Sequence, residues 1–244
     1  MEQIFLVTGA GSGIGHSIAT MALNNNHKVI LVMKSEKNIE KIQNEFLLHH
    51  LNYQIIVKDL MQNGGIDELF KELRWEPNIV VNNLGGSFRQ DTWSDEKLWN
   101  DVLKLNLIIP HLINMKVLER LKSQDWGRLI HISSMAAIKL DGYGPYAVAK
   151  SALETYVRRI GIELSGTGVV ATCISPGPVA VEGRFLTNLF LNETSNWLKW
   201  CEDNFLRSKT LIDPNEISSL VKYLTTPEAK NFNGSIIPIH GGNY

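Results

Sequence analysis

Tyr146 and Lys150 lie four residues apart in a run that continues as a helix through Ser151, Ala152, Leu153, Glu154 and Thr155. On a helix that spacing stacks the two side chains on one face. A free tyrosine titrates near ~10 and is a poor base at neutral pH. An ammonium about 4 Å from the phenolate, at an effective dielectric of about 20, is worth about 4 kcal/mol, on the order of 3 pKa units. Such a pair can bring a phenol into the range where it gives or takes a proton at physiological pH. Ser133 and Ser134, just upstream, add hydroxyls that could hold a substrate oxygen. A Tyr and a Lys at this spacing also occur on many solvated helices, so the pair needs a cleft around it and a reaction partner within it.

The elements that would build the cleft begin at the N-terminus. Ile4-Phe5-Leu6-Val7-Thr8 is a short apolar run, and Gly9-Ala10-Gly11-Ser12-Gly13-Ile14-Gly15 leads from it into a helical pattern through Ile18, Ala19, Ala22 and Leu23. That is strand, glycine turn, helix. In such a loop Gly9 permits the tight turn, Gly13 lets backbone approach a pyrophosphate, and Gly15 allows close packing of helix on strand. Further strands are expected at 29–33, 54–57, 79–81, 128–132, 169–174 and 235–237. Helices are expected at about 35–51 and 65–74, then from an N-cap at Ser94 to about Lys122 with a bend near Asn106 and Pro110. The Tyr146 helix and one beginning at Asp213-Pro214 complete the set.

Strands alternating with helices and no linker predict an α/β fold: a Rossmann-type doubly wound parallel sheet with helices on both faces, in a single domain over 1–244. The segment at about 178–210 breaks the rhythm. It reads as a helical insertion over the carboxyl end of the sheet, carrying exposed Phe185, Leu186, Phe190, Trp197 and Trp200 that would either lid the substrate or pack a subunit interface.

Composition narrows the class. At 44% hydrophobic and 20% charged residues the chain is an ordinary soluble globular protein. A formal net charge of -1 makes no electrostatic case for nucleic acid or a membrane surface. No apolar run approaches the ~20 residues that span a bilayer, and no signal-peptide pattern precedes the first strand, so a cytoplasmic location is expected. Cys173 and Cys201 offer neither a disulfide framework nor metal-ligand spacing, and Cys173 reads as a buried thiol. His131 sits within a strand and reads as a packed core histidine; Arg158-Arg159 reads as solvated helix surface.

Taken together, these motifs resemble the short-chain dehydrogenase/reductase family, in its shorter branch. Thr8 to Gly15 is similar to its cofactor loop, Asn82-Asn83-Leu84-Gly85 to its Asn-Asn-Ala-Gly signature, and Lys104-Leu105-Asn106-Leu107 to the segment carrying its catalytic Asn. Gly127 to Ser134 is similar to the strand leading into its catalytic Ser, and Tyr146 to Lys150 is its Tyr-x-x-x-Lys. Pro176-Gly177-Pro178 and the closing Gly234 to Gly242 segment match as well. The resemblance implies that Tyr146 is the proton donor or base and that Lys150 lowers its pKa and holds the nicotinamide ribose. Ser134 would polarise the substrate oxygen, and Asn106 would support a water chain that resupplies the proton. Ser133 stays a candidate, because the loop from the serine pair to Tyr146 is one residue shorter than is usual.

For the cofactor, the resemblance implies contacts from Gly9, Gly11, Ser12, Gly13, Ile14 and Gly15 to the pyrophosphate side and from Asp59 and Leu60 to adenine. Asn83, Leu84 and Gly85 would line the adenosine ribose; Tyr146, Lys150, Pro176, Gly177 and Val179 would lie towards the nicotinamide. An acid at the end of the second strand would bond a free ribose 2′-hydroxyl and repel a 2′-phosphate. The run Val32-Met33-Lys34-Ser35 has no acid at Met33 and a cation at Lys34, which favours NADP(H) over NAD(H). Glu36 nearby, and Ser12 where many NADP-preferring members carry a basic residue, weigh against it. Leu84, Val181 and His240 depart from the family pattern.

The expected activity is hydride transfer between a nicotinamide and a carbonyl or secondary alcohol. The layout is most similar to 3-oxoacyl thioester (acyl-carrier-protein) reductases, and a sugar or polyol dehydrogenase of the same family is the alternative. A non-catalytic dinucleotide sensor on the same fold is a rival, although such proteins commonly lose the Tyr or Lys that are both present here. The family also implies a homodimer or homotetramer formed through the Tyr146 helix and its neighbour.

Overall fold

The computed structural model describes residues 2–88, 91–139, 143–204 and 206–242. Its strands are β1 (Ile4–Thr8), β2 (Lys28–Met33), β3 (Tyr53–Val57), β4 (Ile79–Asn82), β5 (Gly127–Ile132), β6 (Val169–Pro176) and β7 (Ile236–Ile239). They form one parallel sheet in the order β3-β2-β1-β4-β5-β6-β7. The helices are α1 (Gly13–Asn24), α2 (Ile39–Glu45), α3 (Gly65–Glu72), α4 (Glu96–Leu103), α5 (Ile109–Ser123), α6 (Ala136–Lys139), α7 (Gly144–Glu163), α8 (Phe185–Asn192), α9 (Thr194–Asp203) and α10 (Pro214–Leu224).

Strands buried on both faces read as near-continuous apolar runs, and these do apart from polar positions such as Gln54, Asn82, Arg128, His131 and Thr172. Successive side chains point to opposite faces, so each strand feeds two cores. Phe5, Val7, Leu31 and Val81 join Ile18 and Leu23 of α1 and Ile217 and Val221 of α10. Leu6, Ile30, Val80 and Leu129 join Leu69 of α3, Ile113 and Val117 of α5 and Val157 of α7. The register puts Leu6 opposite both Ile30 and Val80, so the second core is continuous across the middle strands.

The chain leaves β1 outward through β2 and β3 and then returns to β4 on the other side of β1. The crossovers diverge there, opening a crevice at the carboxyl ends of β1 and β4, the place where such sheets take ligands. The doubly wound class expected from the alternation is therefore the one observed. No helix among the described residues is long and apolar enough to cross a membrane.

Several local expectations are corrected. The polar helix expected over 35–51 is three pieces, with 3₁₀ turns at Glu36–Asn38 and Leu47–His49 around α2. Ile42 and Phe46 are buried in the core and Ile39 packs against it, while Leu47, Leu48 and Leu51 are exposed, so the apolar stripe does not continue past Phe46. The cap of α4 is Asp95, which accepts from the Leu98 N–H at 2.8 Å; Ser94 instead donates to the Asp91 carbonyl at 2.8 Å. The final strand runs over Ile236–Ile239, one residue later than expected and longer, because β6 continues to Pro176 and pairs with it. Trp197, expected to be exposed, is buried with Leu189, Cys201 and Leu206 in a small core of its own. The bend near Asn106 is present as a π turn over Lys104–Ile108. Pro110 in the first turn of α5 has no N–H to give, which the widened turn accommodates.

Candidate active site and cofactor cleft

The glycine loop closes on itself tightly. Gly9 and Gly13 have φ of +67° and +58°, a left-handed backbone that side chains disfavour. A Cβ on Gly15 would lie 2.5 Å from the Gly9 carbonyl oxygen and 2.6 Å from Asn83 Nδ2. Thr8, at the end of β1, ties this loop to the crevice: its hydroxyl accepts from the Asn83 and Leu84 N–H groups at 3.1 and 3.0 Å. The Asn83 amide donates to the carbonyls of Thr8 and Gly9. Thr8 was not singled out from the sequence beyond being the loop's first residue. Its hydroxyl is spent on structure.

Two hollows continue from this loop. One of about 210 Å³ lies between Gly9, Met33, Lys34, Asp59, Leu60 and Leu84. Another of about 190 Å³ is lined by Ile14, Asn83, Gly85, Lys150, Gly177 and Val179, with Ser134 and Tyr146 at its edge. Gly11, Ser12 and Gly13 border a groove with His16, Lys37 and Lys41. Nearly every residue that the sequence assigned to a dinucleotide thus borders one of three adjoining spaces, and the bare backbone at Gly15 leaves no room for a side chain. The residues present fit such a group.

Lys34 and Asp59 are brought together, with Nζ 3.0 Å from Oδ2. Burial tends to raise the Asp59 pKa, but the Lys34 ammonium and the Met61 N–H outweigh it and hold the carboxyl below its usual range. The cation expected to favour a 2′-phosphate is therefore paired with the acid expected at adenine. Lys34 is 71% exposed, so this pair is weak and exchangeable.

Tyr146 and Lys150 project from α7 as their spacing requires. Lys150 is buried, its Nζ donating to the Ile132 carbonyl at 2.7 Å and lying 5.7 Å from the Tyr146 ring centroid. Burial pushes its pKa down to about 8. Burial also raises the pKa of Tyr146, against a hydrogen bond to Ser134 that lowers it. The depression of the Tyr146 pKa by Lys150 expected from the spacing is thus absent in this arrangement, since the ammonium points to the end of β5 rather than to the phenol.

Of the two serines, Ser134 faces the cleft beside Tyr146, while Ser133 is buried with its hydroxyl 3.5 Å from the Lys150 carbonyl. Asn106 is fully buried in the π turn. Its amide donates to Gly86 and Val102 carbonyls at 2.9 Å and its Oδ1 accepts from the Gly86 N–H at 3.2 Å. A Cβ on Gly85 would come within 2.8 Å of Asn106 Oδ1 and 3.1 Å of Lys150 Nζ, so only glycine fits between them.

The Ser134 and Tyr146 hydroxyls also open onto a cavity of about 510 Å³. Its far wall is α8 and α9, through Leu186 and Trp200, where Trp200 stacks on Trp197 at 5.4 Å. Lys139 and Arg184 line it too. Neither was singled out from the sequence. Lys139 lies between Ser134 and Tyr146 and could have been suspected from that position, whereas nothing in the spacing of Arg184 orients it. Residues 140–142 of the same loop lie outside the described residues.

Away from the cleft, His131 is fully buried, as expected. Its Nδ1 donates to the Thr172 carbonyl at 3.1 Å and its Nε2 accepts from the Asn114 amide at 2.9 Å. Burial pushes its pKa down to about 4. Cys173 is buried as well, its thiol pushed up to about 12 by that burial.

A parallel doubly wound sheet with a glycine loop at its switch point and a Tyr–Lys pair in the adjoining cavity defines a class of dinucleotide-dependent oxidoreductases. The short chain dehydrogenase family matches residues 3–188, and the chain belongs to that family. It is 25% identical over 257 residues to dehydrogenase/reductase SDR family member 4 of Homo sapiens, covering 99% of this chain and 87% of that one. Two solved structures share the fold. One is a 3-oxoacyl (acyl-carrier-protein) reductase from Agrobacterium tumefaciens with NADP bound, with a TM-score of 0.85 at 20% identity over 98% of this chain and 93% of that one. The other is a 4-hydroxyisoleucine dehydrogenase complexed with NADH, with a TM-score of 0.86 at 22% identity over 99% and 98%.

Proposed function

We propose that this oxidoreductase moves hydride between NADP(H) and a ketone or secondary alcohol, with Tyr146, Ser134, Lys150 and Asn106 as its working residues. The observation that carries the reading is Ser134 and Tyr146 standing together where the glycine-loop hollows meet the larger cavity. When bound, the nicotinamide supplies or accepts the hydride. In the reductive direction Tyr146 Oη gives its proton to the carbonyl oxygen, and in the oxidative direction it takes the hydroxyl proton. Ser134 Oγ holds that same oxygen by a hydrogen bond and fixes its distance from the phenol. Burial keeps Tyr146 protonated, the form that donates. Lys150, held against the end of β5 and backed across Gly85 by Asn106, gives the route by which the Tyr146 proton is replaced.

Preference for NADP(H) is supported by Lys34 beside the hollow of about 210 Å³ and by the absence of an acid at Met33. Among substrates, a 3-oxoacyl thioester is the first to try, given the reductase that shares the fold. The α8–α9 pair is read as the substrate-covering part of the segment at about 178–210. A cytoplasmic location accords with two buried free thiols that need no oxidising compartment. A homodimer or homotetramer is supported by exposed Ile108, Leu112 and Met115 at and after the π turn and by Val148 and Ile162 on α7, apolar groups that a subunit contact would cover. Light scattering is expected to give at least twice the monomer mass.

The test is oxidation of NADPH and NADH by the purified protein against a ketone panel that includes a short 3-oxoacyl thioester, with Tyr146→Phe as control. Turnover with NADPH is expected, falling by at least about 100-fold in the variant, the size of a lost general acid. Tight NADPH binding without turnover of any ketone would favour a dinucleotide sensor, and failure of both cofactors to bind would end the reading.

A further inference from the structure

The cavity beside Tyr146 carries two positive charges that the hydride-transfer reading does not use. Lys139 ends α6, between the serine and the tyrosine in sequence, and Arg184 caps the start of α8 across the cavity. Among the described residues no Asp or Glu lines the space. The one contact of the Lys139 ammonium among the described residues is donation to the Asn204 carbonyl at 3.3 Å, which leaves two N–H groups unused. The Arg184 guanidinium has no carboxylate partner among the described residues. The acid two positions before it, Glu182, is paired with Lys41 at 3.3 Å on the glycine-loop side. Two cations bordering one partly enclosed space repel each other and give it a positive potential. A ligand charge of opposite sign would relieve both.

We propose that the substrate is a keto or hydroxy compound bearing an anionic terminus, a carboxylate or a phosphate, held by Lys139 and Arg184 while its carbonyl or hydroxyl group meets Ser134 and Tyr146. The proposal rests on the hydride-transfer reading for the identity of the reacting group. Met135, Leu186, Trp200 and Leu206 give the wall an apolar stretch that would take the carbon chain between the two ends. Arg184 also borders the glycine-loop groove, where a cofactor phosphate is the competing user of its charge. Lys139 borders only the substrate cavity among the spaces described, so it is the discriminating residue.

The experiment compares 4-oxopentanoate and 5-oxohexanoate with their methyl esters, and dihydroxyacetone phosphate with dihydroxyacetone. Each pair is measured twice: by turnover with NADPH, and by calorimetric binding to Tyr146→Phe protein, which needs no chemistry. The charged member of at least one pair is expected to win by about tenfold or more, in KM rather than kcat, with the advantage shrinking as salt is raised. Which pair shows it separates carboxylate from phosphate. Lys139→Gln and Arg184→Gln are each expected to cut the charged-to-neutral ratio by about fivefold, the scale of a partly exposed ion pair. If charged and neutral members bind the Tyr146→Phe protein equally well, or if neither binds, the anion proposal is wrong whatever the turnover. If the charged member binds better but nothing turns over, the anion site stands and the hydride-transfer reading fails. A Lys139→Gln protein that keeps the full ratio would also overturn the proposal, and an Arg184→Gln protein that loses NADPH affinity instead would assign that residue to the cofactor.

Discussion

At the residue scale, helical spacing put Tyr146 and Lys150 on one face, and burial decided what each does there. The phenol stays protonated and the ammonium titrates near physiological pH because both are taken out of water. Lys34 illustrates the opposite case. It is a cation in the open, paired with Asp59 at 3.0 Å but free to exchange that partner for a phosphate at little cost. Lys34→Ala is expected to lower the NADPH-to-NADH ratio of kcat/KM by about tenfold, one charged hydrogen bond's worth. Steady-state kinetics with both cofactors checks this, and an unchanged ratio would move 2′-phosphate recognition elsewhere.

At the element scale, the α8–α9 pair is a small structure packed largely on itself. Trp197 lies among Leu189, Cys201 and Leu206, stacks on Trp200, and donates from Nε1 to the Lys209 carbonyl at 2.9 Å. Trp200 in turn forms the cavity wall. Trp197→Ala removes the centre of that cluster, at a cost of about 3–5 kcal/mol for a buried aromatic. Because the cluster is separate from the two cores around the sheet, the loss should appear as local opening. Limited proteolysis is expected to cut within 185–210 before the rest of the chain unfolds, with KM for the ketone raised more than kcat is lowered. Global unfolding at a much lower urea concentration without selective cleavage would show that the pair is an integral part of the main fold.

At the scale of the whole molecule, the sheet holds a buried polar network that links its middle to α5. His131 bonds the Thr172 carbonyl across to β6 and accepts from Asn114, which also accepts from Asn82 at 2.9 Å. Folded His131 stays neutral down to a pKa of about 4, whereas in the unfolded chain it binds a proton near the usual value of 6.5. Between those values the unfolded state holds more protons, so stability falls as pH drops from about 6.5 towards 4, by on the order of 3 kcal/mol in all. Urea midpoints over that range should show the slope, and His131→Gln should flatten it. An NMR titration of the imidazole gives the same answer without a variant, and protonation near pH 6.5 in the folded protein would remove the effect.

The strands, the glycine turn and the Tyr146 helix were legible in the sequence because each is local: a five-residue apolar run, a glycine spacing, a four-residue repeat. The same holds for the order of the motifs, which singles out Asn106, Ser134, Tyr146 and Lys150 along the chain. What the tertiary structure alone decided depends on residues far apart in the chain. That Trp197 is buried, that Lys150 faces the Ile132 carbonyl, that Lys34 meets Asp59 across two strands, and that Arg184 opens onto the same cavity as Lys139 are all outcomes of packing. Periodicity specifies which face of an element is apolar; it carries no information about which other element will cover that face, and at this site the electrostatics follow from that second choice.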